Sequence, residues 1–151
     1  MLTRAGTIAL RALVELARHP NSSISGPELA NRQNLPAPML EKLLLQLRRA
    51  GLVEATRGRN GGYRLKVPPH ELALQAVLNA VGGWRQPRLT QFAPVDAKAA
   101  ASAGEQLELQ LQQRLLRAME REMAGLSLAE LLYDQRSWEA TLDPDGGLML
   151  G

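Results

Sequence analysis

Three amphipathic helices are predicted within the first fifty residues. Apolar side chains recur every three or four positions over 3–18, 26–33 and 37–50, which places them on one face of a helix. Ser25 is a suitable N-cap for the second segment, and Gly51 is a suitable stop for the third. The apolar face of the third predicted helix consists of Leu40, Leu43, Leu44 and Leu47.

The hydrophobic period changes from helical to alternating after Gly51. Residues 52–57 and 63–67 have the pattern of short strands, and three of the five residues between them are glycines. This arrangement predicts a β-hairpin. Three helices followed by a hairpin are the components of a winged helix-turn-helix domain, so the predicted fold class is mainly α with a small β-hairpin wing.

The rest of the chain is predicted to supply an assembly element. We expect helices over 71–81 and 128–132 and a longer helix over about 105–124. The longer helix would span ~30 Å, more than a domain of this size can cover, so its apolar face needs a partner. We predict a homodimer through this C-terminal dimerisation helix, with an interface formed by Leu107, Leu111, Leu115, Met119 and Met123.

Four regions follow from these segments. The predicted winged helix-turn-helix domain covers 1–82, and a connecting loop covers 83–103. The dimerisation helix and a short terminal helix cover 104–133, and a flexible tail covers 134–151. A chain of 151 residues fits either one domain of ordinary size or a small domain with such an assembly arm.

Composition excludes several classes of chemistry. The chain has no cysteine and two histidines, which rules out disulfides, a thiolate zinc site, a cysteine nucleophile and a cysteine-ligated iron–sulfur cluster. No metal-ligand spacing or nucleophile–base set indicates an enzyme, and we expect no cofactor. No segment approaches ~18 consecutive apolar residues, and no signal peptide is evident, so we expect a cytoplasmic protein without a membrane contact.

The net charge of +3 conceals a strong asymmetry between the two parts of the chain. Residues 1–90 carry 13 Lys and Arg against 5 Asp and Glu, whereas residues 91–151 carry 5 against 10. Such a difference is typical of a basic region that meets a polyanion. Two solvated faces of unequal sign are the alternative explanation.

The basic and polar residues cluster on the third predicted helix and on the wing. Glu41 can accept a hydrogen bond from a cytosine amine or repel phosphate at wrong sites, and Gln46 can pair with adenine. An arginine at the wing tip suits a narrow minor groove. An ordinary solvated face is the alternative for these helix residues, and the helix dipole is the alternative for Arg48 and Arg49. The candidate DNA contacts are Pro38, Met39, Glu41, Lys42, Gln46, Arg48, Arg49, Arg57, Arg59, Asn60 and Arg64.

Residues 24–30, 39–53 and 57–65 closely resemble the Rrf2 family of bacterial winged-helix regulators. The resemblance implies a homodimer that binds dyad-symmetric, double-stranded DNA operators and regulates transcription as a repressor. It matches Glu41 to the recognition-helix glutamate and Arg57 to the wing arginine that enters the minor groove. Pro38 and Met39 depart from the Ser-Tyr pair of many members, so the base preference of any one member does not transfer.

This sequence departs further from the family pattern in the region that carries a sensor in some members. Members with an iron–sulfur cluster hold it on three cysteines in the loop that corresponds to about 84–103, and this chain has none. The resemblance therefore implies another input, either a metabolic enzyme as partner or a small effector. Trp84 either lines an effector pocket or packs in the core. A protein-interaction adaptor on the same scaffold is the alternative function.

Overall fold

The computed structural model describes residues 1–87 and 102–143, which form six α-helices, a two-stranded sheet and one 3-10 turn. The bounds of the elements are α1 (Arg4–Arg18), α2 (Gly26–Gln33), α3 (Ala37–Arg49), β1 (Val53–Thr56), β2 (Gly62–Leu65), the 3-10 turn (Pro69–Glu71), α4 (Leu74–Val81), α5 (Ala103–Gly125) and α6 (Leu128–Leu142). The predicted fold class, mainly helical with a small hairpin and a long C-terminal helix, is confirmed.

Side-chain caps define where most of these helices begin. The Thr3 hydroxyl accepts a hydrogen bond from the Gly6 amide, and the Ser25 hydroxyl accepts one from the Glu28 amide. Ser102 and Ser127 form capping boxes at the starts of α5 and α6. Each cap satisfies backbone N–H groups that have no partner inside the helix, so each fixes the residue at which its helix starts.

The hydrophobic core surrounds α1. This helix contacts α2, α3, α4, α6 and β2, and its apolar face is buried along its length. The four leucines predicted to form the inner face of the third helix are all buried, with Leu40, Leu44 and Leu47 fully so. Burial of this stripe fixes the rotation of α3 about its own axis, because burying a side chain of this size contributes about 1.5–3 kcal/mol.

The wing is a hairpin whose second strand also pairs with the segment before α2. Strands β1 and β2 are antiparallel, with Val53 opposite Leu65 and Thr56 opposite Gly62. Tyr63 exchanges two backbone hydrogen bonds with Ile24, at 2.8 and 2.9 Å. At Gly62 a Cβ would lie 2.5 Å from the Ile24 carbonyl carbon, so this approach requires glycine. The wing is thereby joined to the start of the helix-turn-helix.

The predicted helix over 71–81 is shorter than expected. A 3-10 turn occupies Pro69–Glu71, and α4 begins only at Leu74. The reason is a backbone contact with the connection between α5 and α6. The Leu74 amide donates to the Leu126 carbonyl, and the Leu128 amide donates to the Leu72 carbonyl, each at 2.8 Å. These long-range bonds hold Leu72 and Ala73 extended, and the helix starts only after them.

The predicted end of the last helix at 132 is wrong. Helix α6 continues to Leu142, so residues 134–142 are helical rather than part of a flexible tail. Arg18 of α1 forms an ion pair with Glu139 at 2.5 Å, which holds this extension against the domain. The remainder of the predicted tail, 144–151, and most of the predicted connecting loop, 88–101, lie outside the described residues.

Candidate nucleic-acid interface

Helices α2 and α3 form a helix-turn-helix in which one face of α3 points away from the domain. The turn contains Asn34 in the left-handed conformation, with φ 50°, a conformation that asparagine tolerates better than most residues. Because the leucine stripe holds the inner side of α3, positions spaced by three and four residues on the other side are solvent-exposed. These outward positions are Pro38, Glu41, Lys42, Leu45, Arg48 and Arg49.

Two residues predicted on this outward face are turned partly inward. Met39 is half-buried and packs against the hydrophobic core. Gln46 is also half-buried, and its side-chain carbonyl oxygen is buried without a hydrogen-bond partner among the described residues. This arrangement does not present the Gln46 oxygen to a base. Helical spacing explains both positions. Met39 lies one turn before Leu43 and Gln46 lies one turn after it, so both are beside the buried leucine stripe.

The wing tip presents three of the predicted contacts to solvent. Arg57, Arg59 and Asn60 are exposed in the turn that joins β1 to β2. Gly58 has φ 110°, a conformation that side chains rarely adopt, and its carbonyl accepts a hydrogen bond from the Gly61 amide at 3.0 Å. This compact turn holds the tip arginines on a short, defined loop.

The fourth wing residue, Arg64, is already paired. It lies directly across the hairpin from Glu54, and its Nε donates to the Glu54 carboxylate at 2.5 Å. Both side chains remain partly exposed, so the pair is accessible to solvent and salt. Arg64 therefore contributes less net positive charge to this surface than the tip arginines do.

The outward face of α3 and the wing both carry excess positive charge. Lys42, Arg48, Arg49, Arg57 and Arg59 are exposed, and within the described residues none of them forms an ion pair. Glu41 is the exposed carboxylate on the outward stripe of α3. Such a surface attracts a polyanion, because these five cations have no neutralising ion-pair partner within residues 1–87 and 102–143.

The predicted dimer residues on the long helix α5 fall into two groups that differ in exposure. Leu107, Leu111 and Leu115 are spaced by four residues and are 68%, 54% and 42% exposed. Met119 and Met123 are half-buried and face α4, where they line a cavity of about 200 Å³. The structure therefore leaves the leucines available for a partner and places the two methionines inside the protomer.

Trp84 lies at the same cavity. It follows α4, is half-buried, and lines the space between α4 and α5 together with Leu78. A cavity thus exists where the effector pocket was predicted. Ligand binding there stays a prediction.

Comparison with known proteins agrees with this geometry. The family model Rrf2, described as "Iron-dependent Transcriptional regulator", matches residues 2–134. The chain belongs to the Rrf2 family. A Synechocystis protein named as an HTH-type transcriptional regulator, slr0846, is 37% identical over 140 residues, which cover 92% of each protein. The HTH-type transcriptional regulator IscR of Cereibacter sphaeroides is 42% identical over 83 residues, 53% of this chain and 54% of that protein.

Solved structures of Rrf2 regulators share the fold. IscR of T. potens superposes with a TM-score of 0.68 at 24% identity, over 89% of this chain and 88% of that one. CymR, the global cysteine regulator of B. subtilis, superposes with a TM-score of 0.66 at 25% identity, over 88% and 96%. This chain is a transcriptional regulator of the same family, and neither the family nor these relatives are enzymes.

Reasoning from the sequence missed two parts of this Rrf2 surface. Leu45 is 41% exposed in the middle of the outward stripe of α3, four residues after Glu41. Its spacing of four residues from Glu41 was the available signal. Asn21, Ser22 and Ser23 were also missed. They lie beside Arg59 in a groove between the wing and the start of α2, a proximity that only the pairing of Ile24 with Tyr63 creates.

Within residues 1–87 and 102–143, none of the helices is both long and apolar enough to cross a bilayer. Over the same ranges, no three His, Asp or Glu side chains come together in a way that could hold a metal ion.

Proposed function

We propose that this Rrf2 protein is a homodimeric repressor that binds double-stranded DNA in a sequence-specific manner, with no cluster on thiolates of its own. Each protomer inserts α3 into a major groove and its wing into the neighbouring minor groove. The observation that carries the proposal is the set of exposed cations on α3 and on the wing tip that have no ion-pair partner in the described part of the chain. Bound over a promoter, such a dimer blocks access to the DNA beneath it.

The proposal assigns different tasks to the two parts of the surface. Glu41 and Leu45 contact base edges, because a carboxylate can accept from cytosine and an apolar side chain can contact the thymine methyl group. Arg57 and Arg59 enter the minor groove, whose negative potential is strongest in A·T-rich sequence. Arg48 and Arg49 at the end of α3 contact phosphates and set the register on the duplex.

Homodimerisation is supported by the exposed leucines of α5. Leu107, Leu111 and Leu115 form an apolar stripe about 12 Å long at 1.5 Å per residue, which is costly to leave in water. Arg114, Arg117 and Arg121 lie in the groove beside Leu111 and Leu115, while Glu108 lies nearer the start of the helix. Antiparallel packing of two copies would bring the acidic start of each helix toward the arginines of the other.

DNA binding is tested by measuring operator affinity of purified protein on fragments selected from a genomic library. With six to ten phosphate contacts, affinity should fall by about 10³–10⁵ between 50 and 200 mM salt. Arg57→Ala should weaken binding most at sites with A·T-rich flanks, and Glu41→Ala should change which sites are bound. Arg136→Ala, on α6 away from this surface, is the matched control and should bind as the parent does.

Two results would overturn the proposal. An adaptor protein would give a flat salt response and no selected fragments. If Arg57→Ala and Glu41→Ala both bound a panel of sequences as the parent does, the residue roles would be wrong even for a DNA-binding protein.

Dimerisation is tested separately by sedimentation equilibrium. Leu111→Glu places a charge in the exposed stripe and should shift the protein to a monomer with weakened operator binding. Gln110→Glu adds the same charge one position away on the polar side of α5 and should remain dimeric. A dimeric Leu111→Glu variant would contradict this interface.

A further inference from the structure

The cavity between α4 and α5 has an apolar interior and one charged residue on its wall. Leu78 and Trp84 line one side, and Met119 and Met123 of α5 line the other. The polar groups on the lining are the amides of Gln75, Asn79 and Gln86 and the carboxylate of Glu120. The cavity is smaller than the usual site for a drug-sized ligand, but apolar walls with a few polar groups are the combination found in small-molecule sites.

Glu120 gives the cavity its electrostatic character. Among the described residues that line the cavity it is the only one with a charged side chain, and across the described ranges it forms no ion pair. Arg117, one turn earlier, and Arg121, the next residue, both line a different groove beside Leu111 and Leu115. Glu120 is exposed to solvent, so its charge favours a cation over an anion at the solvent-facing side of the cavity.

Trp84 adds a second feature that favours a cation. The negative face of an indole attracts ammonium and amidinium groups, most strongly where water is partly excluded. An antiparallel bridge with Leu2 holds the backbone of Trp84 in place. The backbone amide of the next residue, Arg85, donates to the Met1 carbonyl at 2.9 Å. The backbone that carries the indole is thus held by the segment that precedes α1.

We propose that this cavity binds a small organic monocation, an amine or amidine carried on a flat apolar body. The positive group pairs with the Glu120 carboxylate, and the flat body lies between the Trp84 indole and the methionines of α5. A volume of about 200 Å³ equals that of six or seven waters at ~30 Å³ each, so the ligand has on the order of ten non-hydrogen atoms. Binding of this ligand does not depend on the proposed function. Control of operator binding by the ligand does rest on it.

Three compounds of nearly identical shape test the charge preference: benzamidine as the cation, benzamide as the neutral analogue and benzoate as the anion. Binding is followed by Trp fluorescence in a Trp138→Phe background, which leaves Trp84 as the reporter. Benzamidine should change the Trp84 emission saturably. The neutral and anionic analogues should bind on the order of tenfold or more weakly, as expected from the loss of a charge-assisted hydrogen bond.

Variants of α5 test the role of Glu120. Glu120→Gln should reduce benzamidine affinity to the level of benzamide, whereas Glu122→Gln, which removes an equal charge outside the cavity lining, should bind benzamidine as the parent does. Equal affinity for all three compounds would overturn the proposal, as would a Glu120→Gln variant with parental affinity. Benzamidine binding weaker than about 1 mM would do so as well.

These measurements contain no DNA, so their failure is distinct from failure of the proposed function. Operator affinity is measured on the same protein without any ligand. A protein that binds its operator but not benzamidine refutes the cavity proposal alone, and the converse result refutes the proposed function alone.

Discussion

The Glu41 carboxylate of α3 lies against the Cα atom of Gly26 in the first turn of α2. A Cβ at Gly26 would be 1.8 Å from Glu41 Oε1 and 2.8 Å from its Cδ. The start of α2 carries the partial positive charge of a helix N-terminus, which favours a carboxylate at this place. The proposed base-reading residue is therefore positioned by a glycine in the other helix of the helix-turn-helix.

Gly26→Ala should alter site preference without unfolding the protein. The added methyl group meets the end of a flexible side chain, so the Glu41 carboxylate must move while the backbone need not. The free energy of unfolding should change by no more than about 1 kcal/mol, and the set of selected DNA sequences should shift toward that of Glu41→Ala. Selection from a randomised operator library measures this shift.

Gly104→Ala is the matched control for this prediction. Gly104 also lies in the first turn of a helix, and a Cβ there would meet only the Ser102 hydroxyl at 3.9 Å. It should select the parental sequences. Parental selection by Gly26→Ala would show that Glu41 does not read bases from the observed position.

Glu54→Gln should strengthen DNA binding. The substitution removes a negative charge from the wing and releases Arg64 from its ion pair. An additional arginine can then neutralise about one more phosphate, so the slope of log affinity against log salt should steepen by about one. Titrations at several salt concentrations measure the slope. An unchanged slope would show that Arg64 is too far from the DNA to contribute.

Glu15→Ala should destabilise the packing of α2 against α1. The Glu15 carboxylate is buried, accepts a hydrogen bond from Gln33 Nε2 at 2.7 Å and lies 3.5 Å from the Arg32 guanidinium. Its removal leaves the Gln33 amide without this acceptor and should cost about 1–3 kcal/mol in the free energy of unfolding. Glu15→Gln keeps an acceptor and should cost less. Urea denaturation distinguishes the two variants.

The stability contributed by α6 should depend on pH in the acid range. A hydrogen bond from Gln135, followed by the charge of Arg18, lowers the pKa of Glu139 from its ordinary value of 4.5. Because the folded-state pKa is the lower one, the stabilisation is present above pH 4.5 and is lost as the pH falls through the folded-state value. Thermal unfolding of the parent and Glu139→Gln should differ at pH 7 and converge in acid.

Asp134→Asn is the control for this pH dependence, since Asp134 is an exposed carboxylate of α6 that forms no ion pair among the described residues. Its difference from the parent should stay small across the pH range. A Glu139→Gln difference that persisted in acid would mean that the Arg18 contact does not act through the charge of Glu139.

The accuracy of prediction from sequence followed the range of the interactions involved. The inner stripe of α3 and the Ser25 cap depend on residues within one or two helical turns, and both were predicted. The start of α4 depends on hydrogen bonds to Leu126 and Leu128, and the extension of α6 depends on Arg18 at the other end of the chain. Neither partner is visible in a local pattern.

The sequence alone determined the class of fold, the family and the concentration of basic residues on the third helix and wing. These follow from periodicity and residue type, which act locally. Only the tertiary structure decided which of those residues are available. It paired Arg64 with Glu54 and turned Gln46 inward. It also enclosed Met119 against α4 beside Trp84, because burial and charge neutralisation depend on groups that meet only once the chain has folded.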